Sequence, residues 1–299
     1  MNILITGGTG YIGSHTAIVL QELGFDVVLY DSLVASSRKT LVNLQDIASH
    51  SFPFVQGDVR DTDLVQKTLR NYNIEAVIHF AGLKTANESA KIPIEYYANN
   101  VQGAVSLIRA MQSQNVKQLI FSSSATVYGD PKYLPCDENH PIQPINPYGR
   151  SKRYIEEILS DAVASDSSWR VACLRYFNPV GAHRSGLIGE GHDDNPSNLM
   201  PYIGQVAAGV RPELSIFGND YETKDGTGVR DYIHVMDLAE GHVAALNFLR
   251  KFNGWHAFNL GTGTGYTVLE MIRAYENASG CRVPYRVRDR RAGDVAESY

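Results

Sequence analysis

Tyr148 and Lys152 stand four residues apart in NPYGRSK, residues 146–152, where an apolar periodic stretch begins. A free phenol is a poor base near neutral pH. A lysine ammonium one helical turn away favours the phenolate and brings its pKa toward a range where it can take a proton from an alcohol. The pair meets only if both residues share a helix face, and the flanking residues provide that helix. Asn146 is a good N-cap, Pro147 suits the first helical position, and IleGluGluIleLeu continues with helical spacing. Ser124, last of the run Ser122-Ser123-Ser124, ends a predicted strand and could reach the same alcohol. Taken alone, a Tyr/Lys pair is more often surface decoration and a serine at a strand end only a turn hydroxyl. The elements upstream give both a chemical context.

ThrGlyGlyThrGlyTyrIleGly holds Gly7, Gly10 and Gly13 after a strand-like opening and at the start of a helical stretch. Glycines there permit a tight turn and close approach of the backbone to a pyrophosphate, whose charge the helix N-terminus favours. The strand–turn–helix context predicts a dinucleotide site. Asp31, 18 residues after Gly13 and ending the second strand, can accept from adenosine ribose hydroxyls and would repel a 2′-phosphate, which favours NAD over NADP. Arg38 and Lys39, farther along that loop, pull the other way. Asp58 and the segment Phe80-Ala81-Gly82-Leu83-Lys84 end further strands. A bound nicotinamide cation would add to Lys152 in favouring the Tyr148 phenolate. A second glycine-rich stretch, 261–265, lacks the Lys-Ser/Thr of a P-loop and reads as a strand-to-helix turn.

Strand-like runs at 2–6, 26–31, 52–57, 76–81, 118–123 and 170–177 alternate with helical stretches at 11–23, 61–72, 94–114 and 147–164. This βαβ rhythm predicts an α/β fold, a Rossmann-type doubly wound parallel sheet. After Phe177 the rhythm breaks; helices are expected near 198–209 and 235–250, with a strand at 256–260 rejoining the sheet. The expected division is an NAD-binding domain with the Ser/Tyr/Lys group over 1–177 and a smaller, mainly substrate-binding region over 178–299.

The chain has 299 residues, 43% of them hydrophobic and 20% charged, with a net charge of −5. That balance argues against general nucleic-acid binding while leaving room for a local basic pocket that takes an anionic small molecule. The first basic residue is Arg38, so no positively charged leader opens the chain, and no apolar run approaches a membrane span. A cytoplasmic protein is expected. Cys136, Cys173 and Cys281 are odd in number and widely spaced, which fits reduced thiols. No metal is expected; His192 beside Asp193 and Asp194 is the nearest approach to a ligand cluster and reads as a solvated loop.

The glycine turn, Ser124 and Tyr148-x-x-x-Lys152 resemble the extended short-chain dehydrogenase/reductase superfamily, whose members rework nucleotide sugars. PheAlaGlyLeuLys, PheSerSerSerAlaThrValTyrGly, ArgTyrPheAsnProValGlyAla and AspGlyThrGlyValArgAspTyrIleHisValMetAspLeuAla are similar to stretches of the UDP-glucose 4-epimerase family, from residue 3 to about 294. The resemblance implies that Tyr148, assisted by Ser124, removes the proton of the sugar 4-hydroxyl while C4 gives its hydride to tightly bound NAD. The 4-keto sugar, still tethered through UDP, then turns and takes the hydride back on its other face. Reversible interconversion of UDP-glucose and UDP-galactose, in galactose metabolism, follows. Besides Gly7, Gly10, Gly13, Ser124, Tyr148 and Lys152, the residues resembling the family's NAD contacts are Tyr11, Ile12, Asp31, Ser32, Leu33, Val34, Ala35, Ser36, Asp58, Val59, Phe80, Ala81, Gly82, Leu83, Lys84, Asn99 and Phe177. Those resembling its UDP-sugar contacts are Lys84, Ser124, Tyr148, Asn178, Asn198, Leu199, Ser215, Ile216, Phe217, Arg230, Arg291 and Asp294. Arginine suits a diphosphate, which it meets with charge-assisted, often bidentate bonds.

Sugar-nucleotide 4,6-dehydratases share the fold and the Tyr/Lys pair but carry Asp-Glu just before ValTyrGly, where this chain has Ala125-Thr126. A nonenzymatic NAD-responsive regulator would need the cradle without the reactive side chains. In the family a bulky tyrosine four residues after the Asp of ArgArg-x-GlyAsp is associated with exclusion of N-acetylated sugars; here that position is Ser298, so UDP-GlcNAc/UDP-GalNAc exchange is expected as a second activity. The chain stops at Tyr299, short of the usual family tail. The resemblance also implies a homodimer through helices near 94–114 and 147–164.

Overall fold

The computed structural model describes residues 1–190, 198–291 and 293–299; His192, Asp193 and Asp194 lie outside the described residues. Each early strand is apolar almost throughout, as a strand covered on both faces must be. In β1 (Asn2–Thr6), Ile3 and Ile5 point into one layer and Leu4 into the other. The other strands of this sheet are β2 (Asp26–Asp31), β3 (Phe54–Gln56), β4 (Ala76–His79), β5 (Gln118–Ser124), β6 (Arg170–Tyr176) and β10 (Gly254–Leu260). Between β6 and β10 the chain makes β7 (Asn178–Val180), β8 (Leu214–Phe217) and β9 (Val229–His234), which lie outside it. Among the described residues the sheet has seven strands, all parallel, in the order β10-β6-β5-β4-β1-β2-β3. The order reverses between β1 and β4, and ligands of such sheets bind outside the strand C-termini at that switch.

One face is covered by α1 (Tyr11–Glu22), α2 (Arg38–Ala48) and α9 (Val235–Leu249). The other is covered by α3 (Thr62–Asn71), α6 (Gln102–Ser113) and α7 (Pro147–Ser165). Two short helices, α4 (Ala86–Lys91) and α5 (Pro93–Tyr96), precede α6. The helix expected over 94–114 is therefore interrupted: α5 passes through a π turn, Tyr97–Val101, before α6 begins. Such turns widen a helix by one residue and often accompany functional sites. The strand expected over 170–177 ends at Tyr176, and Phe177 instead packs with Ala125, Val127 and Tyr128.

Beyond Phe177, β9 is paired by β7 and β13 (Glu297–Ser298) in parallel and by β11 (Gly265–Thr267) antiparallel. β8 pairs in parallel with β12 (Tyr285–Arg288). α8 (Leu199–Ala207) and α10 (Val268–Ser279) close a small core over this ribbon that contains Ile203, Val206, Leu214, Ile216, Ile272 and Val283. α9 and β10 return to the large sheet. The glycine-rich turn after β10 is sealed: the buried Asp231 carboxylate accepts from the backbone N–H of Thr262 and Gly263 and from the Thr262 hydroxyl. It is a structural turn with its donors already satisfied.

Candidate active site

α7 begins as its sequence predicts. Asn146 caps it by accepting from the Gly149 N–H at 2.8 Å, with Pro147 at the first helical position. The Tyr148 N–H, which no helical partner can satisfy, donates to the Ser89 hydroxyl at 3.1 Å. The first turn is thereby held at both its own cap and α4. Ser124 lies close enough to the Tyr148 phenol to pull its pKa down. Ser124 is in turn oriented by a short 3₁₀ turn, Ala125–Val127, accepting from the Thr126 N–H at 3.2 Å and bonding the Thr126 hydroxyl at 2.9 Å.

Lys152 is 5% exposed and donates from Nζ to the Ser122 carbonyl at 2.7 Å, with its ammonium 4.9 Å from the Phe121 ring centre and 5.8 Å from that of Tyr148. Burial lowers its pKa to about 8, while the carboxylate of Glu156 works in the other direction. The spacing predicts that Lys152 lowers the Tyr148 phenol; in the structure burial raises it, and the opposing pull comes from Ser124. The physical reason is that the ammonium is turned onto the Ser122 carbonyl.

The cofactor side lies at the same strand ends. Gly7 has φ +71, and a Cβ there would meet the Ala81 amide nitrogen at 2.8 Å. A Cβ on Gly13 would stand 2.3 Å from the Gly7 carbonyl oxygen, so α1 packs this closely only because the residue is glycine. At Gly10 a Cβ would have only the Gly7 oxygen, at 3.2 Å, within 4 Å; the helix mouth is otherwise open there. Unpaired first-turn N–H groups and an open glycine surface suit a pyrophosphate. Asp31 is buried and accepts from Thr9 N–H, Leu33 N–H and the Ser36 hydroxyl, which fixes the carboxylate beside the turn. These features fit a dinucleotide whose ribose lies over β2.

Other predicted contacts are distributed unevenly. Asn99 lies in the π turn, and the neighbouring Asn100 clamps both the N–H and the carbonyl of Leu83, which holds the 80–84 segment in place. Ile12, Phe80 and Val59 are packed against the two cores, and Tyr11 bonds the Gly181 carbonyl at 2.7 Å, tying the turn to the later region. The Asp58 carboxylate is held by the Arg60 guanidinium, which lowers its pKa; its backbone carbonyl is bonded by Tyr30. Ser32 is half-buried, whereas Val34 and Ala35 project into solvent.

On the substrate side, Arg230 on β9 donates to the carbonyls of Val229 and Val295, and β13 places Ser298 in register beside it. Arg291 lies over the Phe217 ring at 4.6 Å and donates to Asp294 at 2.9 Å. Asn178 pairs with Tyr232 between β7 and β9. Lys84 and Asn198 both bond Glu190, which joins the β4 loop to the start of α8; Leu199 packs onto the small core. Ile216 departs from expectation: it is 2% exposed within that core, so strand alternation leaves the side chains of Ser215 and Phe217, and not its own, for any ligand. Sequence reasoning did not single out Glu156, Arg175 or Glu190. The signal for the first two was available: Glu156 is four residues past Lys152, and Arg175 is a lone charge in the apolar run ValAlaCysLeuArgTyr.

The model of the NAD dependent epimerase/dehydratase family matches residues 3–261. The chain belongs to that family. A curated family member, UDP-glucose 4-epimerase of Neisseria gonorrhoeae, is 53% identical over 300 residues, spanning 100% of this chain and 89% of its own. Two solved structures of family members are similar across the whole chain. UDP-glucose 4-epimerase from Stenotrophomonas maltophila, with bound NAD and formylated UDP-arabinopyranose, has TM-score 0.98 at 50% identity, covering 100% of this chain and 89% of that one. The enzyme from Bifidobacterium longum, in complex with NAD+ and UDP, has TM-score 0.97 at 49% identity, with the same coverage. This chain thus shares the epimerase/dehydratase family's fold from end to end and spans about nine-tenths of those members.

Proposed function

We propose that the protein interconverts UDP-glucose and UDP-galactose by NAD-dependent epimerisation at C4. The observation that carries this reading is the placing of Tyr148 and Lys152 on the first turns of α7 against the Ser122–Ser124 end of β5, with Lys152 Nζ on the Ser122 carbonyl at 2.7 Å. The Gly7–Gly13 turn, Asp31 and the 80–84 segment hold NAD, which when bound supplies the hydride acceptor at C4. Tyr148 takes the 4-hydroxyl proton, Ser124 orients that hydroxyl, and Lys152 keeps positive charge beside the phenolate. Arg230 and Arg291 retain the diphosphate while the sugar ring turns, so binding energy from the nonreacting part holds the intermediate. Tyr148 then returns the proton to the opposite-handed alcohol.

Dehydration is disfavoured by the groups beside Ser124. Ala125 is buried and the Thr126 hydroxyl is bonded to Ser124, so neither provides the acid and base that elimination of water requires. The purified protein, incubated with UDP-galactose and no added NAD, should produce UDP-glucose and no 4-keto-6-deoxy sugar. Absence of interconversion with bound cofactor verified would refute the reading.

A second substrate class is favoured by the last strand. Ser298 takes the place beside Arg230, while the Tyr299 ring is turned toward Gly265, where a Cβ would meet it at 2.6 Å. The small side chain leaves volume for an acetamido group, and we infer exchange of UDP-GlcNAc with UDP-GalNAc. Ser298→Tyr should remove the N-acetyl activity while preserving the other; unchanged N-acetyl turnover contradicts this. We also infer a cytoplasmic homodimer. No helix among the described residues is long and apolar enough to cross a membrane. An apolar surface groove between the π turn, α6 and α7, lined by Tyr97, Val101, Val105 and Tyr154, is the face we assign to the partner copy.

A further inference from the structure

Three consecutive residues at the end of β5 each face one of three residues spaced a helical turn apart on α7. Ser124 lies beside the Tyr148 phenol and lowers its pKa, the Ser122 carbonyl takes Lys152 Nζ at 2.7 Å, and the Ser123 hydroxyl donates to Glu156 Oε1 at 2.5 Å. The first two pairings belong to the reaction already derived. The third has no substrate or cofactor group to serve: Ser123 and Glu156 are 1% and 3% exposed. Glu156 is held rigidly, because Arg175 on β6 meets both its oxygens, through Nε at 3.1 Å and Nη2 at 2.7 Å. Arg175 is paired in register with Ser123 itself. Its Nη1 continues to the Tyr128 hydroxyl, which bonds Asn259 at the end of β10.

We propose that Glu156, braced by Arg175, is a positioning residue: through Ser123 it locks the β5 end to α7 and sets the distance between Ser124 and the Tyr148 phenol. Strand alternation sends the Ser123 side chain into the α7 layer while its two neighbours keep their groups at the reaction mouth. A shift of the Ser123 peptide moves the Ser122 carbonyl and the Ser124 hydroxyl together. The charge surroundings agree with this arrangement. Lys152 faces Tyr148 and Glu156 on its own helix, His79 on β4, and the Phe121 ring and Ser122 carbonyl on β5; Tyr148 in turn helps to raise Tyr176 on β6. His79 is buried and its pKa is lowered to about 3, so it carries no charge near neutrality. Glu156 is the nearby anion that keeps Lys152 protonated.

The inference rests on the proton-transfer role given to Tyr148 above, and its test separates the two. Ser123→Ala removes the grip and leaves the Glu156–Arg175 pair whole. We expect kcat to fall about tenfold, equivalent to ~1.4 kcal/mol, with KM for UDP-glucose, UDP affinity and the melting temperature close to those of the parent. The Tyr148 phenolate titration, isolated by subtracting the absorbance of Tyr148→Phe, should move alkaline by half a pH unit or more, because Ser124, which lowers it, is less firmly placed. That titration needs no turnover, so it reports on positioning even if the substrate assignment fails. Unchanged kcat with an unmoved titration, or a loss shared equally by UDP affinity and melting temperature, would overturn the proposal. Glu156→Gln gives a second reading: with the carboxylate charge gone, Lys152 should lose its proton at lower pH and the alkaline limb of kcat should move acid. A limb that stays in place would contradict the tuning role.

Discussion

Tyr148 sits under two opposing influences, burial that raises its pKa and Ser124 that lowers it. With the phenolate as the proposed base, turnover should fall as pH drops through the phenol's effective pKa. Ser124→Ala should move that acid limb alkaline; a limb left where it was would remove Ser124 from this role. Lys152 is charged below about 8 and neutral above, so the alkaline limb is expected near that value. Tyr148→Phe should keep NAD and lose turnover by roughly 10²- to 10⁴-fold, the range of a positioned general base; unchanged kcat would exclude the phenol. The Tyr/Lys pair and Ser124 could be singled out from the sequence only with the glycine turn upstream as context. Their electrostatics could not be read that way, because whether an ammonium faces a phenol or a carbonyl depends on β5, 24 residues or more away in the chain.

At the scale of elements, the site depends on how α7 and α1 begin. Asn146→Ala removes the cap bond to Gly149 and should cost about 1 kcal/mol in stability, together with a larger loss in kcat than in UDP affinity, since the first turn carries Tyr148; denaturant unfolding and kinetics of the same sample check both. Gly13→Ala places a Cβ 2.3 Å from the Gly7 oxygen and should abolish NAD retention through the displaced turn. Full retention after gel filtration would show that the turn has slack. The six strands ahead of β7 and α1, α3 and α7 were readable because buried parallel strands are apolar runs and their covering helices have a 3.6-residue stripe. α2 was overlooked, although Leu41, Leu44 and Ile47 recur on it every third residue and pack onto the first core. The π turn was hidden because Tyr97–Val101 has helical composition and differs only in hydrogen-bond register. The short strands β8, β11, β12 and β13 are two to four residues long, below the length at which alternation can be recognised.

Across the whole molecule, buried neutral histidines link stability to pH. Burial lowers His15 and His242 to about 4 and His79 to about 3, each below the ordinary value near 6.5. The unfolded chain therefore binds more protons than the folded one between those values, and stability is lost as pH falls from about 6.5 toward 4. The slope reaches at most about 1.4 kcal/mol per histidine per pH unit. Urea midpoints at pH 7.5 and 5.0 should differ accordingly; coincident midpoints would contradict the burial argument. Assembly is tested by light scattering, where a mass of one chain would remove the proposed dimer face. The Rossmann layer was legible as an alternation of elements, whereas the convergence of Arg230, Arg291, Phe217 and Ser298 was not, because residues up to 81 apart in sequence meet only through β8, β9 and β13. Their grouping came from motif resemblance.

On the proposed route one hydride leaves C4 and returns to it within a single closed site. UDP-galactose carrying deuterium at C4 should give UDP-glucose with the deuterium still at C4, without added NAD, and the label should stay in the sugar when unlabelled NADH is present in solution. Loss of deuterium from the product, or no product from protein with verified bound cofactor, would contradict this route.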